Sequence, residues 1–200
     1  VRRLTALVVA GLLALLAGCT STAAAGDEPI GDRPVRVTTT TNFITDTVAR
    51  IGGDAVEVTG LMGPGVDPHL YRASAGDVVA LRDADLILYG GLQLEGRMAE
   101  LLGELARAQP TRAVTDGIPR ERLLAPAPGA REEYDPHVWF DVTLWEDVCR
   151  TVAEALSERD PARAGLYAAN LDAYLAELAD LDAYVTERME SIPPERRLLV

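Results

Sequence analysis

The sequence predicts an α/β protein whose parallel sheet is covered on both faces. Three observations carry that expectation. Short β-branched or apolar runs alternate with segments of helical spacing, the order that strand–helix–strand units produce. One run, Asp85-Leu86-Ile87-Leu88-Tyr89, is continuously apolar after its aspartate, the pattern of a strand buried on both sides. A single, much longer helical segment then follows and stops at Pro193-Pro194.

Taken in order, Val35-Arg36-Val37-Thr38-Thr39-Thr40 is β-branched and predicts the first strand. Asn42 can cap a helix reaching about Ile51, which Gly52-Gly53 stops. Ala55-Val56-Glu57-Val58-Thr59 predicts a second strand, followed by the loop Gly63-Pro64-Gly65-Val66-Asp67-Pro68-His69. Ser74 caps a helix through about Asp83, and the Asp85–Tyr89 strand comes next. Glu95 to Ala108 returns to helical spacing, and Arg112-Ala113-Val114 offers a short fourth strand. Parallel sheets place ligands beyond the carboxyl ends of their strands, and the His69 loop lies at that edge.

A Pro/Gly/Ala-rich loop from Pro126 to Glu133 leads into Tyr134-Asp135-Pro136-His137-Val138-Trp139, and a helix is expected from about Val142 to Glu158. Asp160-Pro161 then opens the long helix, with Asp as a cap and Pro tolerated in the first turn. Leu171, Tyr174, Leu178, Leu181 and Val185 recur at spacings of three and four, giving one apolar stripe. At close to thirty residues, roughly 45 Å, the helix is long enough to span two lobes. Leu198-Leu199-Val200 reads as the start of another strand.

With 200 residues the chain can form one sizeable core, or one lobe of a two-lobed protein with part of the second. Its formal charge is −12, from 19 basic and 31 acidic residues, which argues against a nucleic-acid partner because no basic stripe can neutralise phosphates. An acidic surface attracts cations or simply keeps the protein soluble. Of the two cysteines, Cys149 stands in an apolar helical pattern with Trp145, Val148 and Val152, the setting of a buried structural thiol.

Cys19 closes the run Leu15-Leu16-Ala17-Gly18-Cys19, behind Arg2, Arg3 and an apolar stretch from Leu4 to Ala17. A basic start, a short apolar segment and small residues before a cleavage point make an export signal, and that segment is too short for a membrane span. The run resembles the bacterial lipobox, which implies cleavage before Cys19 and lipidation of its sulfur; the other reading is an ordinary secretory signal. Cleavage would leave 17 basic residues against 31 acidic ones, a charge of −14. With Cys19 lipidated, Cys149 has no partner, and no intramolecular disulfide is expected. Residues 20–33 are small and polar, with Pro29 and Pro34 near the end, and read as a flexible tether.

Only two histidines occur, and both stand in Asp-Pro-His: Val66-Asp67-Pro68-His69-Leu70-Tyr71 and Tyr134-Asp135-Pro136-His137-Val138-Trp139. At this chain's usage of Asp and Pro, Asp-Pro would precede a given histidine roughly once in two hundred times. Proline fixes its own φ and extends the residue before it, so each imidazole is presented from a stiff loop. Neutral imidazole is a good ligand for zinc, manganese and neighbouring metals. Asp67 and Asp135 either hold the other ring nitrogen and fix the tautomer or cap local turns. Tyr71 and Trp139 either shield the pair or pack beneath it. Two histidines do not complete a closed zinc site, which wants four ligands, and nearby sequence supplies no third.

The Leu-x-Gly-Cys run, the tether, Gly65-Val66-Asp67-Pro68-His69-Leu70-Tyr71, Asp135-Pro136-His137-Val138-Trp139-Phe140-Asp141-Val142, Leu181-Asp182-Ala183-Tyr184-Val185 and the helix ending at Pro193-Pro194-Glu195 together resemble the zinc/manganese solute-binding lipoproteins of ABC importers, in their TroA-like branch. The resemblance covers essentially the whole chain. It implies two α/β lobes joined by one long helix with metal in the cleft, His69 and His137 being the two ligands from the first lobe. The third ligand, His or Glu, and the fourth, a carboxylate, would lie beyond Val200, so the chain reads as C-terminally truncated. The implied layout is a signal at 1–18, lipidated Cys19 with a tether at 19–33, an N-terminal lobe at 34–158, the linking helix at 160–192 and the start of a second lobe at 196–200.

The function this resemblance implies is capture of Zn²⁺ or Mn²⁺ at the outer face of the cytoplasmic membrane by a lipid-anchored monomer, which delivers the ion to an ABC permease and its ATPase. It is not an enzyme. Many zinc-dedicated members carry a His-rich loop before the second ligand, where this chain has Pro126-Ala127-Pro128-Gly129-Ala130-Arg131-Glu132-Glu133. A surface adhesin is the alternative from another class, and no binding motif supports it independently. A zinc hydrolase would call for His-Glu-x-x-His, which the sequence lacks.

Overall fold

The computed structural model describes residues 29–129 and 132–197. The expected export signal at 1–18, Cys19, the tether as far as residue 28 and the strand expected at Leu198 lie outside the described residues.

Four strands, β1 (Val35–Thr39), β2 (Val56–Gly60), β3 (Leu86–Tyr89) and β4 (Thr111–Ala113), form one parallel sheet in the order β2-β1-β3-β4. Among the described residues five α-helices accompany them: α1 (Asn42–Gly52), α2 (Ala75–Asp83), α3 (Ala99–Leu105), α4 (Val142–Arg159) and α5 (Ala164–Glu190). The period-two geometry of β3 divides the core. Leu86 and Leu88 join Val35 and Val37 of β1 in a cluster with α1, α4 and α5, whereas Ile87 turns to the opposite face and packs with Leu81, Met98 and Leu102. The apolar run is thus buried on both sides, as its composition predicts.

Strand order reverses direction after β2, so a crevice opens beyond the carboxyl ends of β1 and β3. The connection from β1 to α1 is only Thr40-Thr41, and this brevity moves the helix start. Thr41, in extended conformation, occupies the N-cap without a side-chain cap bond, and Asn42, expected as the cap, is the first helical residue. At the other end Gly53 caps α1 with φ +53°, a conformation that favours glycine. Ser74 behaves as expected: its hydroxyl accepts from Asp77 N–H at 3.2 Å while the Asp77 carboxylate accepts from Ser74 N–H at 2.7 Å.

Two helices differ from their sequence pattern. The segment expected to be helical from Glu95 to Ala108 is α only from Ala99 to Leu105, because Leu92 (φ +50°) and Gln93 (φ +64°) follow Gly91 (φ +84°) in left-handed conformation and turn Glu95 inward. The long helix does not open at Asp160-Pro161. Residues Pro161–Arg163 form a 3₁₀ turn, and the buried Asp160 carboxylate accepts from Tyr167 Oη (2.8 Å) and Arg163 Nη1 (2.9 Å) instead of capping the helix.

The 27-residue α5 packs on α1 and α4 through Tyr167, Leu171, Tyr174 and Leu178, while Leu181 and Val185, the later members of its stripe, are 46% and 41% exposed. The last residues of the expected tether are also packed: Ile30 is buried in the main core, and the Gly31 and Arg33 carbonyls each accept from Arg163 Nη2 at 3.0 Å. Arg33 and Arg36 both reach Asp85, which holds its carboxyl well below the usual range against the desolvation that burial imposes. Cys149 is a fully buried free thiol, and burial pushes it up to about 12. Among the described residues no helix is long and apolar enough to cross a membrane.

Candidate metal centre

Both histidines sit at the carboxyl edge of the sheet. His69 lies on the segment that leaves β2, and His137 ends the long connection from β4 to α4. Although 68 residues separate them in sequence, their Nε2 atoms are 3.1 Å apart, with ring centroids at 5.2 Å and planes inclined by 55°. Two nitrogens each about 2.05 Å from one zinc ion at a tetrahedral angle would lie about 3.3 Å apart. The observed separation is within a few tenths of an ångström of that, a spacing compatible with two imidazoles on one cation.

The two Asp-Pro-His segments use the same local device. In each, the aspartate Oδ1 accepts from the backbone N–H of the histidine two residues on, at 2.9 Å for Asp67 and 3.0 Å for Asp135. These Asx turns, with proline between their ends, fix each imidazole's starting point. Beyond this the pair is unequal. Asp135 Oδ1 also lies 2.7 Å from His137 Nδ1, and acceptance of that proton leaves His137 Nε2 with its lone pair facing His69. The bonds from His137 hold the Asp135 carboxyl below its usual range against partial desolvation. Asp67 makes only the turn. Asp135 thus realises both readings, the turn and the ring bond, and Asp67 the turn alone.

Trp139 flanks the pair: its ring meets His137 edge-on at 5.2 Å and stacks on Phe43 at 5.0 Å. Tyr71 points elsewhere, giving its hydroxyl proton to Asp77 at 2.8 Å and packing with the second core cluster. Trp139 therefore borders the site, and Tyr71 packs away from it. A cleft of about 330 Å³ lies between Phe43, Met62, Val66, Pro68 and Trp139, at the side of the histidines. A larger cleft of about 560 Å³, lined by Pro29, Pro110, Arg112 and Pro161, opens at the amino end of the sheet and includes neither histidine. Among the described residues no cluster of three or more His, Cys, Asp or Glu side chains forms a fuller donor set.

One residue at this edge escaped the sequence. Glu95 is 3% exposed, and its carboxylate accepts from Thr40 Oγ1 (2.6 Å), Gly90 N–H (2.7 Å) and Gly91 N–H (3.3 Å). Burial pushes its carboxyl up, and these three donors oppose the rise. Its only sequence signal is a carboxylate shortly after Gly90-Gly91 in an apolar stretch, which helical spacing absorbed.

The family described as zinc-uptake complex component A, periplasmic, matches residues 37–200, a span that includes both histidine loops. The chain belongs to this family. Among its relatives, the zinc-binding protein TroA of Treponema pallidum is 42% identical over 198 residues, covering 99% of this chain and 62% of that protein. The manganese-binding lipoprotein MntA of Bacillus subtilis is 40% identical over 185 residues, covering 92% of this chain and 59% of the relative. The solved structure of the periplasmic zinc-binding protein TroA superposes with a TM-score of 0.79 at 44% identity, over 83% of this chain and 59% of that one. The chain thus spans about 60% of the length of the family members it matches.

Proposed function

We propose that the chain is the metal-capturing part of an extracytoplasmic ABC-importer receptor, binding Zn²⁺ or Mn²⁺ as cargo between His69 and His137 and passing it to a membrane permease driven by an ATPase. The observation that carries this reading is the 3.1 Å approach of the two Nε2 atoms on stiff loops at the crevice of a parallel sheet. Membership of a metal-uptake family supports it, as does the match to relatives named for zinc and for manganese. Similar identities to a zinc-named and a manganese-named relative leave both ions as cargo. The Pro/Ala-rich stretch in place of a His-rich loop favours a receptor not dedicated to zinc alone.

The remaining donors come from outside the described residues, and Cys19, when lipidated, would hold the monomer at the outer membrane face. The arrangement suits a receptor: among the described residues it offers two imidazoles for capture from one edge of the sheet. Calorimetric titration with Zn²⁺ and Mn²⁺ tests the proposal. His69→Ala and His137→Ala should each weaken binding by more than the roughly 10–100-fold typical of losing an outer-shell partner. Unchanged affinity in both variants would overturn it.

A further inference from the structure

Glu95 is a buried carboxylate with no cationic partner among the described residues, and it sits at the carboxyl ends of β1 and β3. Burying a charge in this way is expensive unless donors surround it, and here three do. The donors belong to two strand ends. Thr40 follows β1, and Gly90 and Gly91 follow β3.

Each of these residues passes the connection on. The Thr40 carbonyl accepts from Met62 N–H at 2.9 Å, the last ladder bond before the His69 loop departs. The Gly90 carbonyl accepts from Thr115 Oγ1 at 2.7 Å, just after β4, where the segment leading to His137 begins. Pro136 and Val138, on either side of His137, are buried and line one cavity together with Gly90, Leu94 and Thr115.

The local backbone is shaped to bring the carboxylate to this place. Gly91, Leu92 and Gln93 are consecutive left-handed residues, and for the two non-glycines that conformation is costly. At Gly91 a Cβ would lie 2.5 Å from Thr115 Oγ1 and 2.7 Å from Ala113 Cβ, so the close approach of β3 to β4 also needs glycine here.

We infer that Glu95 is a positioning residue for both histidines, tying the roots of the two Asp-Pro-His loops to one buried acceptor so that the imidazoles meet before metal arrives. It touches neither histidine and acts through Thr40 and Met62 on one side and through Gly90 and Thr115 on the other. An acceptor with two oxygens is required because all three neighbours donate. A glutamine would set its NH₂ group against a donor, and leucine would leave three buried donors unpaired.

The inference rests on the metal-receptor reading for its purpose, but its geometry can be tested without metal. The chain has only two histidines, so selectively ¹⁵N/¹³C-histidine-labelled protein gives two sets of imidazole signals and an inter-ring nuclear Overhauser effect in the metal-free state. Glu95→Gln should shift both rings and weaken that effect. Thr40→Val should act chiefly on His69 and Thr115→Val chiefly on His137. Leu156→Ala, a core truncation near the opposite end of the sheet, should leave both rings in place even when it lowers the melting temperature as much. Co²⁺ affinity should fall about tenfold in Glu95→Gln, in the range seen for lost outer-shell support.

If Glu95→Gln does not fold, the two threonine variants carry the test. Ring signals unchanged in Glu95→Gln or in both threonine variants, or moved equally by Leu156→Ala, would overturn the inference. Paired rings in a wild-type protein that binds no metal would instead sink the receptor reading and leave this one standing.

Discussion

Asp135 holds His137 twice, through its backbone N–H at 3.0 Å and its ring Nδ1–H at 2.7 Å, whereas Asp67 holds His69 only through the backbone. The same tripeptide thus yields one imidazole with a fixed tautomer and one whose ring is set by its loop alone. Asp135→Asn should weaken Zn²⁺ binding by about 10–100-fold, the usual effect of removing a carboxylate behind a ligating imidazole. Asp67→Asn, which keeps a side-chain oxygen for the turn, should change affinity several-fold less. Parallel calorimetric titrations of the two variants check the difference, and equal losses would contradict the asymmetry.

Asp85 ties Arg33 and Arg36 to the amino end of the sheet with its carboxyl held below the usual range. Because the folded carboxyl is depressed, its contribution to stability is complete above the unfolded value near 4 and is lost as pH falls through the folded one. Denaturant melts between pH 7 and pH 2 should therefore show an acid decline that Asp85→Asn partly flattens. At neutral pH the substitution should cost about 1–3 kcal/mol, since it weakens hydrogen bonds to charged groups.

Tyr167 is fully buried, with its hydroxyl on Asp160 at 2.8 Å. Tyr167→Phe leaves that carboxylate with Arg163 as its remaining side-chain donor. A loss of about 1–3 kcal/mol in urea unfolding is expected. An unchanged midpoint would mean that Arg163 suffices.

Cys149, fully buried and pushed up to about 12 by burial, presents no thiolate at neutral pH. Native protein should leave this thiol unmodified by a disulfide reagent over hours and release it on unfolding in denaturant. Rapid native labelling at Cys149, identified by peptide mapping, would show that α4 opens locally.

Much of the fold was legible because its signals are local. Four β-branched or apolar runs located the strands to within a residue or two, and Ser74 announced a helix start that its short-range bonds with Asp77 complete. The misread stretches depend on distant partners. Glu95 has helical spacing, yet it turns inward because donors from Thr40, Gly90 and Gly91 await it. Asp160 looks like a cap, yet it is drawn to Tyr167 seven residues later. At the site, the repeated Asp-Pro-His singled out two histidines whose Nε2 atoms lie 3.1 Å apart, a meeting that no spacing rule states. Which aspartate would reach its own imidazole was not legible, because that depends on how each loop lies on the rest of the protein.

The long helix α5 is clamped along its first half, through Tyr167, Leu171, Tyr174 and Leu178, while among the described residues Leu181, Tyr184, Val185 and Met189 of its second half stay exposed. Mechanically it is a lever with its fulcrum near Leu178. The twelve residues from there to Glu190 make an arm of about 18 Å, so a tilt of about 10° at the clamp would carry the tip by about 3 Å. Small repacking of α1 or α4 beneath the clamp is therefore magnified at Val185 and Met189, and spin labels placed there would report it more sensitively than labels on the sheet.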